Sequence, residues 1–271
     1  MTSRAAEVER RAVEIDGERV RYRVAGEGRP LLLVHGLGGS WRWWSPLFEQ
    51  LATQRRLHVV DLPSLRRFAH PNELGEWLAR WLDAVEVDRA DVAGHSLGGL
   101  AAAELAATHP ERVRHLVLVA PAGIPCNRSI AGRAIPLVGT LYGIRDSMPM
   151  VAFDALRAGP LGLARGVALV SSRDLREELP QVRSPVLLVW GEGDYLMPLR
   201  LAEEWQRTLQ DSRLVRLSCG HVPMLEAPHE LVRSMLSFLD EQVADDGGDQ
   251  VGPGEVDGVR LAGDDDESAL R

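Results

Sequence analysis

The sequence predicts an α/β fold in which one mostly parallel β-sheet is covered by helices on both faces. Strand-like apolar runs alternate with amphipathic helical patterns along most of the 271 residues, which is the order that such folds require. The run Leu31–Val34 is apolar without interruption, and Val113–Val119 is mostly apolar, as in strands that are buried on both faces. With 45% hydrophobic residues, the chain can bury one large core, so we expect one domain with an insertion.

The elements can be placed in chain order. Apolar and charged residues partly alternate over Glu7–Ile15 and Glu18–Ala25, around Asp16-Gly17. This pattern predicts a β-hairpin with one solvent-exposed face. We expect Trp41, Trp43 and Trp44 to open a helix to Leu51 and to face the core or a pocket. The further elements are strands at 57–63, 90–93, 113–119, 185–190 and 213–217, and helices at 72–85, 100–108, 199–209 and 229–243.

The segment 123–183 departs from this alternation. Glycine, proline and arginine interrupt its apolar stretches, and it carries no signal for a parallel strand. We therefore predict a core formed by residues 1–122 and 184–243, a helical cap at 123–183 and an acidic, disordered tail at 244–271. We favour packing of the cap on the core over an apolar substrate pocket as the role of its apolar residues, which include Ile135, Leu137, Val138, Leu141, Met148, Met150, Phe153 and Leu156.

Charge and composition exclude several classes of function. The tail holds nine acidic residues and two arginines of a chain whose net charge is −8, so the remainder is close to neutral and lacks a basic surface for nucleic acid. The chain has no lysine, which excludes Schiff-base chemistry on a lysine. Cys126 and Cys219 form neither a disulfide framework nor a metal-ligand cluster. The charged N-terminus lacks a secretory signal, so we expect a cytoplasmic protein without stable membrane insertion.

The strongest motif is Gly94-His95-Ser96-Leu97-Gly98-Gly99. It follows a strand-like run and opens an alanine-rich helical run, so the backbone must turn sharply and hold the Ser96 side chain out. Side chains at Gly94 and Gly98 would collide across that turn. These features predict a nucleophile elbow with Ser96 at its apex.

A second motif, His35-Gly36-Leu37-Gly38-Gly39-Ser40, follows the strand Leu31–Val34. A glycine-rich loop at the carboxyl end of a central strand can direct main-chain amides into a ligand crevice. With both motifs present, the chain resembles the α/β-hydrolase family over roughly residues 7–243. The resemblance implies the α/β-hydrolase fold with a helical cap insertion, and oxyanion-hole donors at the amides of Leu37 and Leu97.

A serine nucleophile needs a base, and the base needs an orienting acid. The family supplies them in the order serine, acid, histidine. His221 alone of the later histidines lies in a loop after the last strand, whereas His109, His115 and His229 border helices or a strand. We therefore predict that His221 is the base, with a purely structural histidine as the alternative.

Asp194 is the predicted acid because it directly follows a predicted strand and so lies at the same sheet edge as Ser96. A turn aspartate that caps the next helix is the alternative role for Asp194. The other carboxylates considered are Glu192 as the nearest substitute, Asp146, Asp154 and Asp174 in the cap, and Asp211 at the opposite edge. We place His35, Gly36, Trp41 and His95 around the substrate and expect the two histidines to shape the loop and the elbow.

These residues predict a serine hydrolase that acts on carboxylic esters through an acyl-enzyme. The substrate is expected to be a small acyl compound of apolar or mixed polarity, with no metal or organic cofactor. The same triad would serve a thioesterase, a lactonase, an acyltransferase or a hydrolase of carbon-carbon bonds. A slow-turnover sensor that binds a ligand on this fold is the alternative from another class, and docking of the apolar cap on a membrane surface is a further one.

Overall fold

The computed structural model describes residues 7–65, 68, 73–126 and 143–245. Their strands form one eight-stranded sheet in the order β1-β2-β4-β3-β5-β6-β7-β8. The strands are β1 Glu9–Ile15, β2 Glu18–Ala25, β3 Arg29–Val34, β4 Arg55–Val60, β5 Ala90–His95, β6 Val113–Val119, β7 Val186–Gly191 and β8 Ser212–Leu217. The predicted mostly parallel α/β sheet is thereby confirmed.

The sheet combines an antiparallel edge with a parallel body. Strands β1 and β2 pair as the predicted hairpin, and β2 pairs antiparallel with β4. The ladders from β4 through β3 and β5 to β8 are all parallel. The chain leaves β3 toward β4 on one side and returns to β5 on the other, which opens a crevice at the carboxyl ends of β3 and β5.

Helices cover both faces of the sheet. They are α1 Phe48–Leu51, α2 Glu73–Ala84, α3 Leu97–Thr108, α4 Met148–Ser172, α5 Leu199–Thr208, α6 Pro223–Glu226 and α7 Pro228–Asp245. One cluster of buried residues contains Trp77, Trp81 and Trp205, and the other contains Trp44 and Leu231. Each cluster fills one side of the sheet, so the tryptophans of the helices supply much of the core.

The predicted continuous helix from Trp41 to Leu51 is wrong. This segment folds as two 3₁₀ turns, Trp41–Trp43 and Ser45–Leu47, followed by the single helical turn α1. Pro46 lies inside the second turn and has no N–H for an i to i−4 hydrogen bond, so a longer α-helix would lose a bond there. The tightly wound segment still buries Trp43 and Trp44.

The described part of the predicted cap is dominated by α4. Gly159 interrupts this helix with φ 67° and ψ 161°, and Pro160 follows it. This conformation is open essentially to glycine alone, so α4 is two helical halves joined at Gly159. The predicted domain boundaries stay a prediction, and the expectations for residues 135, 137, 138 and 141 lie outside the described residues.

The apolar residues of α4 divide into two groups. Met148 and Met150 pack against the core cluster, as expected of the cap. Phe153 and Leu156 are instead 51% and 81% exposed, so packing on the core does not account for them.

The carboxyl-terminal helix runs further than expected. It continues to Asp245, two residues past the predicted end of the core, and the rest of the predicted acidic tail lies outside the described residues. Within the ranges given above, no helix has the length and apolarity needed to cross a bilayer.

Candidate active site

The Gly94 to Gly98 segment forms a sharp turn between β5 and α3. Ser96 lies between them with φ 51° and ψ −112°, a strained conformation that costs about 1–3 kcal/mol for a residue other than glycine. A Cβ at Gly94 would collide with the Gly98 carbonyl, and one at Gly98 would collide with the Val34 carbonyl. The turn therefore requires both glycines, and it leaves the Ser96 side chain partly exposed.

The predicted base and acid are brought together. His221 Nδ1 lies 2.7 Å from Asp194 Oδ2, and both residues are buried, at 5% and 4% exposure. The second oxygen of Asp194 accepts the amides of Leu196 at 2.9 Å and Met197 at 2.8 Å. Because this carboxylate accepts from Nδ1–H, Nε2 of His221 keeps a free electron pair, the arrangement that a general base needs.

His95, the residue that precedes Ser96, contacts His221. The Nε2–H of His95 donates to the main-chain carbonyl of His221 at 2.9 Å, and the two rings lie 4.9 Å apart between centroids. Burial lowers the pKa of His95 well below its ordinary value, so this ring is a neutral donor. Among the described residues, Ser96 Oγ forms no hydrogen bond with His221, and such contacts often tighten only with substrate.

A cavity of about 230 Å³ lies beside the elbow, under α4. The loop after β3, the loop after β4 and the first residue of α3 form its wall, and both Leu37 and Leu97 line it. In the part of the chain that the structure describes, neither the Leu37 nor the Leu97 amide donates a hydrogen bond. The cavity thus includes both predicted oxyanion-hole residues, whereas Ser96 and His221 are not among its described lining residues.

His35 and Gly36 also line the cavity, whereas His95 and Trp41 do not. His35 Nδ1–H donates to the Gly36 carbonyl at 2.8 Å, and its Nε2 accepts the Leu62 amide at 3.0 Å. Burial lowers the pKa of His35, so the neutral ring ties the loop after β3 to the loop after β4. Trp41 lies at a separate surface depression and stacks under the Arg23 guanidinium, 4.7 Å from the ring centroid.

Glu226 is a residue that the sequence reasoning missed. Its two carboxylate oxygens accept the amides of Gly220 at 2.7 Å and Val222 at 2.8 Å, one on each side of His221. The carboxylate therefore fixes the backbone that carries the predicted base. The sequence offered only an acid four residues after Val222, a common feature that carries no functional signal by itself.

Asp154 was considered only as an alternative acid in the cap. It does not approach His221, and it lines the cavity as a buried carboxylate of α4. No group of three or more His, Cys, Asp or Glu side chains within the described ranges is arranged to hold a metal ion.

Burial raises the pKa of the Cys219 thiol to about 12, which keeps this cysteine protonated and unreactive as a nucleophile.

The fold and the strand-turn-helix at Ser96 define a protein of the hydrolase class, and comparison with known families agrees. The model of the Alpha/beta hydrolase family matches residues 31–234. The chain belongs to this family and is an α/β-fold hydrolase.

Named relatives and solved structures show the range of similar proteins. The chain is 30% identical over 79% of its length to a pimeloyl-[acyl-carrier protein] methyl ester esterase of Aeromonas hydrophila, of which it covers 96%. It is also 30% identical, over 83% of its length, to a dihydrolipoyllysine-residue acetyltransferase component of an acetoin cleaving system of Pseudomonas putida, of which it covers 68%. A crystal structure of a membrane phospholipase A aligns with a TM-score of 0.75 and 26% identity over 87% of each chain.

Proposed function

We propose that this chain is a serine esterase that hydrolyses small carboxylic esters through Ser96, His221 and Asp194. The observation that carries the proposal is the position of Ser96 at a strained turn, directly after His95, which hydrogen-bonds to His221 of the buried His221–Asp194 pair. A strained nucleophile that is held out next to an oriented imidazole is the arrangement of acyl-transfer enzymes. The esterase names of relatives at 30% identity support an ester as the substrate.

The reaction follows from these positions. Ser96 Oγ attacks the ester carbonyl while His221 Nε2 takes its proton, and Asp194 stabilises the imidazolium that forms. The amides of Leu37 and Leu97 donate to the developing oxyanion. The intermediate then collapses to an acyl-enzyme as His221 returns the proton to the leaving alcohol. Water, deprotonated by the same His221, attacks the acyl-enzyme and releases the carboxylic acid.

We further propose that the acyl group occupies the cavity beside Leu37 and Leu97, so that the size of this cavity limits the acyl group. Its volume of about 230 Å³ is below the roughly 300–1,000 Å³ that is usual for sites of drug-sized ligands. Leu37, Leu65 and Leu97 contribute apolar lining, while Asp154 and Arg157 contribute polar lining. We therefore propose a short acyl group, of apolar or mixed polarity, over a long fatty-acyl chain.

The first experiment is a series of p-nitrophenyl esters of increasing acyl length, assayed with the wild type and with Ser96→Ala. We expect turnover that is highest for short chains and that falls in the variant by about 10⁴-fold or more. Full activity of Ser96→Ala would refute the triad. If the wild type turns over no ester but Ser96 is labelled stoichiometrically by a fluorophosphonate, the triad stands and the ester assignment falls.

Transfer to an acceptor other than water is a second candidate, because a relative at 30% identity is named as an acetyltransferase component. Both reactions share the acyl-enzyme and differ in the nucleophile that resolves it. Product analysis in the presence of an added alcohol or thiol separates them. A hydrolase gives mainly free acid at modest acceptor concentrations, whereas a transferase gives mainly the new ester or thioester.

A further inference from the structure

A buried hydrogen bond joins the cap to the loop that carries Leu37. Ser40 Oγ donates to Asp154 Oδ2 at 2.7 Å, across 114 residues of sequence. Both partners are 2% exposed, so water does not compete for this bond. Ser40 ends the glycine-rich loop after β3, and Asp154 lies in the first half of α4, before the break at Gly159.

The charge of Asp154 is balanced from both sides of the contact. Arg42, from the turn that follows the loop, donates from Nη1 to Asp154 Oδ1 at 3.2 Å, and Arg157, one turn further along α4, places Nη1 at 3.9 Å. A buried carboxylate requires such partners to remain ionised. Asp154 thus links the cap to the loop through the hydrogen bond from Ser40 and the ion pair with Arg42.

The loop can transmit the position of Ser40 to the Leu37 amide. Gly39 N–H donates to the Gly36 carbonyl at 3.1 Å, and Gly38 has φ 68°. The loop from Gly36 to Ser40 is therefore a tight turn with little conformational freedom. The second half of α4 closes on the same loop, because a Cβ at Gly166 would collide with the Leu37 side chain. The two halves of α4 thus hold the loop at Ser40 and at Leu37.

We propose that Asp154 is a positioning residue, which through Ser40 holds the Leu37 amide at the place where the oxyanion develops. This inference rests on the proposed esterase function of Ser96. It gives the cap a role in the chemical step in addition to covering the cavity. Asp154 does not exchange a proton with the substrate; it acts through the geometry of the loop.

The size of the expected effect follows from oxyanion-hole energetics. Loss of one donor costs about 10²–10³-fold in kcat, and a displacement of about 1 Å can cost about 10²-fold. Release of the loop displaces the donor without removing it, so we expect a fall in kcat of about 10–100-fold. KM reports ground-state binding and should change by less than about threefold.

The test uses Asp154→Asn, Ser40→Ala and the double variant, assayed with the best p-nitrophenyl ester. Asp154→Asn keeps the size of the side chain but has no charge and only one oxygen for the two donors Ser40 and Arg42, so one of these hydrogen bonds is lost and the other is weakened. Ser40→Ala removes the bond to Asp154 outright. Since the two residues act through one bond, we expect the double variant to be no slower than the slower single variant. Asp146→Asn is the matched control, because Asp146 lies just before α4 with a side chain that is 93% exposed, and its rates should equal those of the wild type.

A trifluoromethyl ketone gives a readout that a merely structural role would not move. Its adduct with Ser96 places an oxyanion where the transition state does. The inhibition constant should therefore rise in proportion to the fall in kcat/KM in Asp154→Asn and Ser40→Ala, with the melting temperature recorded for each variant. If Asp154→Asn does not fold, the same comparison of kcat/KM and the inhibition constant is made with Ser40→Ala alone.

The outcomes separate this inference from the esterase proposal. If Ser96→Ala is inactive while Asp154→Asn and Ser40→Ala keep wild-type kcat and inhibition constants, the positioning role is refuted and the triad stands. Rate losses that are additive, or that match only the unfolded fraction, also refute it. Retention of activity by Ser96→Ala refutes the esterase assignment before Asp154 is considered.

Discussion

Two buried aspartate-histidine pairs lie at opposite ends of the same sheet. At the carboxyl ends of the strands, Asp194 and His221 are 2.7 Å apart; toward the amino ends, Asp91 and His115 are also 2.7 Å apart. All four residues are at most 5% exposed. By distance and burial alone, the two pairs are equivalent.

Their surroundings differ. Asp91 and His115 lie within β5 and β6, and Asp91 faces Arg55, whose Nε is 3.7 Å away and which also binds Asp240 at 2.7 Å. Asp194 and His221 instead lie in loops after β7 and β8. Asp91 precedes Ser96 by five strand residues, or roughly 16 Å, so its histidine partner cannot reach the elbow. An aspartate-histidine pair therefore indicates a site only where loops hold it beside a nucleophile.

Among the substitutions that test this contrast, Asp194→Asn is expected to have the largest effect on kcat. The asparagine would favour the wrong tautomer of His221 and would not stabilise its imidazolium, so we expect kcat on the best ester to fall by about 10⁴-fold. The melting temperature should change little, because the Leu196 and Met197 amides keep an oxygen acceptor. Steady-state kinetics and thermal unfolding measure both effects. A loss of less than tenfold would remove Asp194 from the proposed triad.

The matched substitution at the other end is Asp91→Asn. It leaves Arg55 and His115 without their shared buried carboxylate, so we expect the free energy of unfolding to fall by about 3 kcal/mol. Urea unfolding measures this change. The kcat of the folded enzyme should stay within about threefold of the wild type. If Asp91→Asn were as inactive as Asp194→Asn while folded, the distinction between the two ends would be wrong.

Glu226→Gln probes the loop that carries His221 of the Asp194–His221 pair. A glutamine offers one carbonyl oxygen where the carboxylate offers two, so either Gly220 or Val222 loses its acceptor. The His221 backbone should loosen, and we expect kcat to fall by about tenfold with KM nearly unchanged. Glu230→Gln is the control on α7, since Glu230 is exposed. Equal kinetics for the two variants would show that Glu226 does not position His221.

The sequence was a good guide to elements and to the motifs at strand ends. The alternation of strands and helices, the hairpin around Asp16 and the turn at Ser96 depend on local periodicity and on glycine positions, which any single sequence displays. The continuous helix predicted from Trp41 to Leu51 is wrong because Pro46 lacks the N–H of an α-helical hydrogen bond, and the segment folds as 3₁₀ turns. The residues proposed for catalysis remain predictions that kinetics must test.

Contacts between distant segments could not be predicted in this way. The Ser40–Asp154 bond spans 114 residues, and neither residue type nor local spacing signals which serine a buried aspartate will meet. Phe153 and Leu156 have the spacing of a packed face, yet they are 51% and 81% exposed. The path of the cap over the core decides both facts, and that path depends on tertiary packing rather than on helical period.

The smallest expected effect concerns a third buried carboxylate, paired with arginine instead of histidine. Glu104, on α3, accepts from Arg173 Nε at 2.7 Å. Burial raises its pKa from 4.5 to about 7, against the opposing hydrogen bonds from Arg173 and Gly75. Between these two values the folded protein holds a proton that the unfolded chain has released, so the free energy of unfolding falls as pH rises through this interval.

Glu104→Gln removes this titration. We expect the difference in unfolding free energy between variant and wild type to shift by about 1–2 kcal/mol in favour of the variant from about pH 5 to about pH 8. Arg173 keeps a partner, since Glu178 lies 2.8 Å away. Taking the difference between proteins cancels the opposite slope of His58, whose pKa burial lowers to about 4. A difference that is constant with pH would mean that Glu104 is ionised throughout this interval and that the hydrogen bonds from Arg173 and Gly75 outweigh its burial.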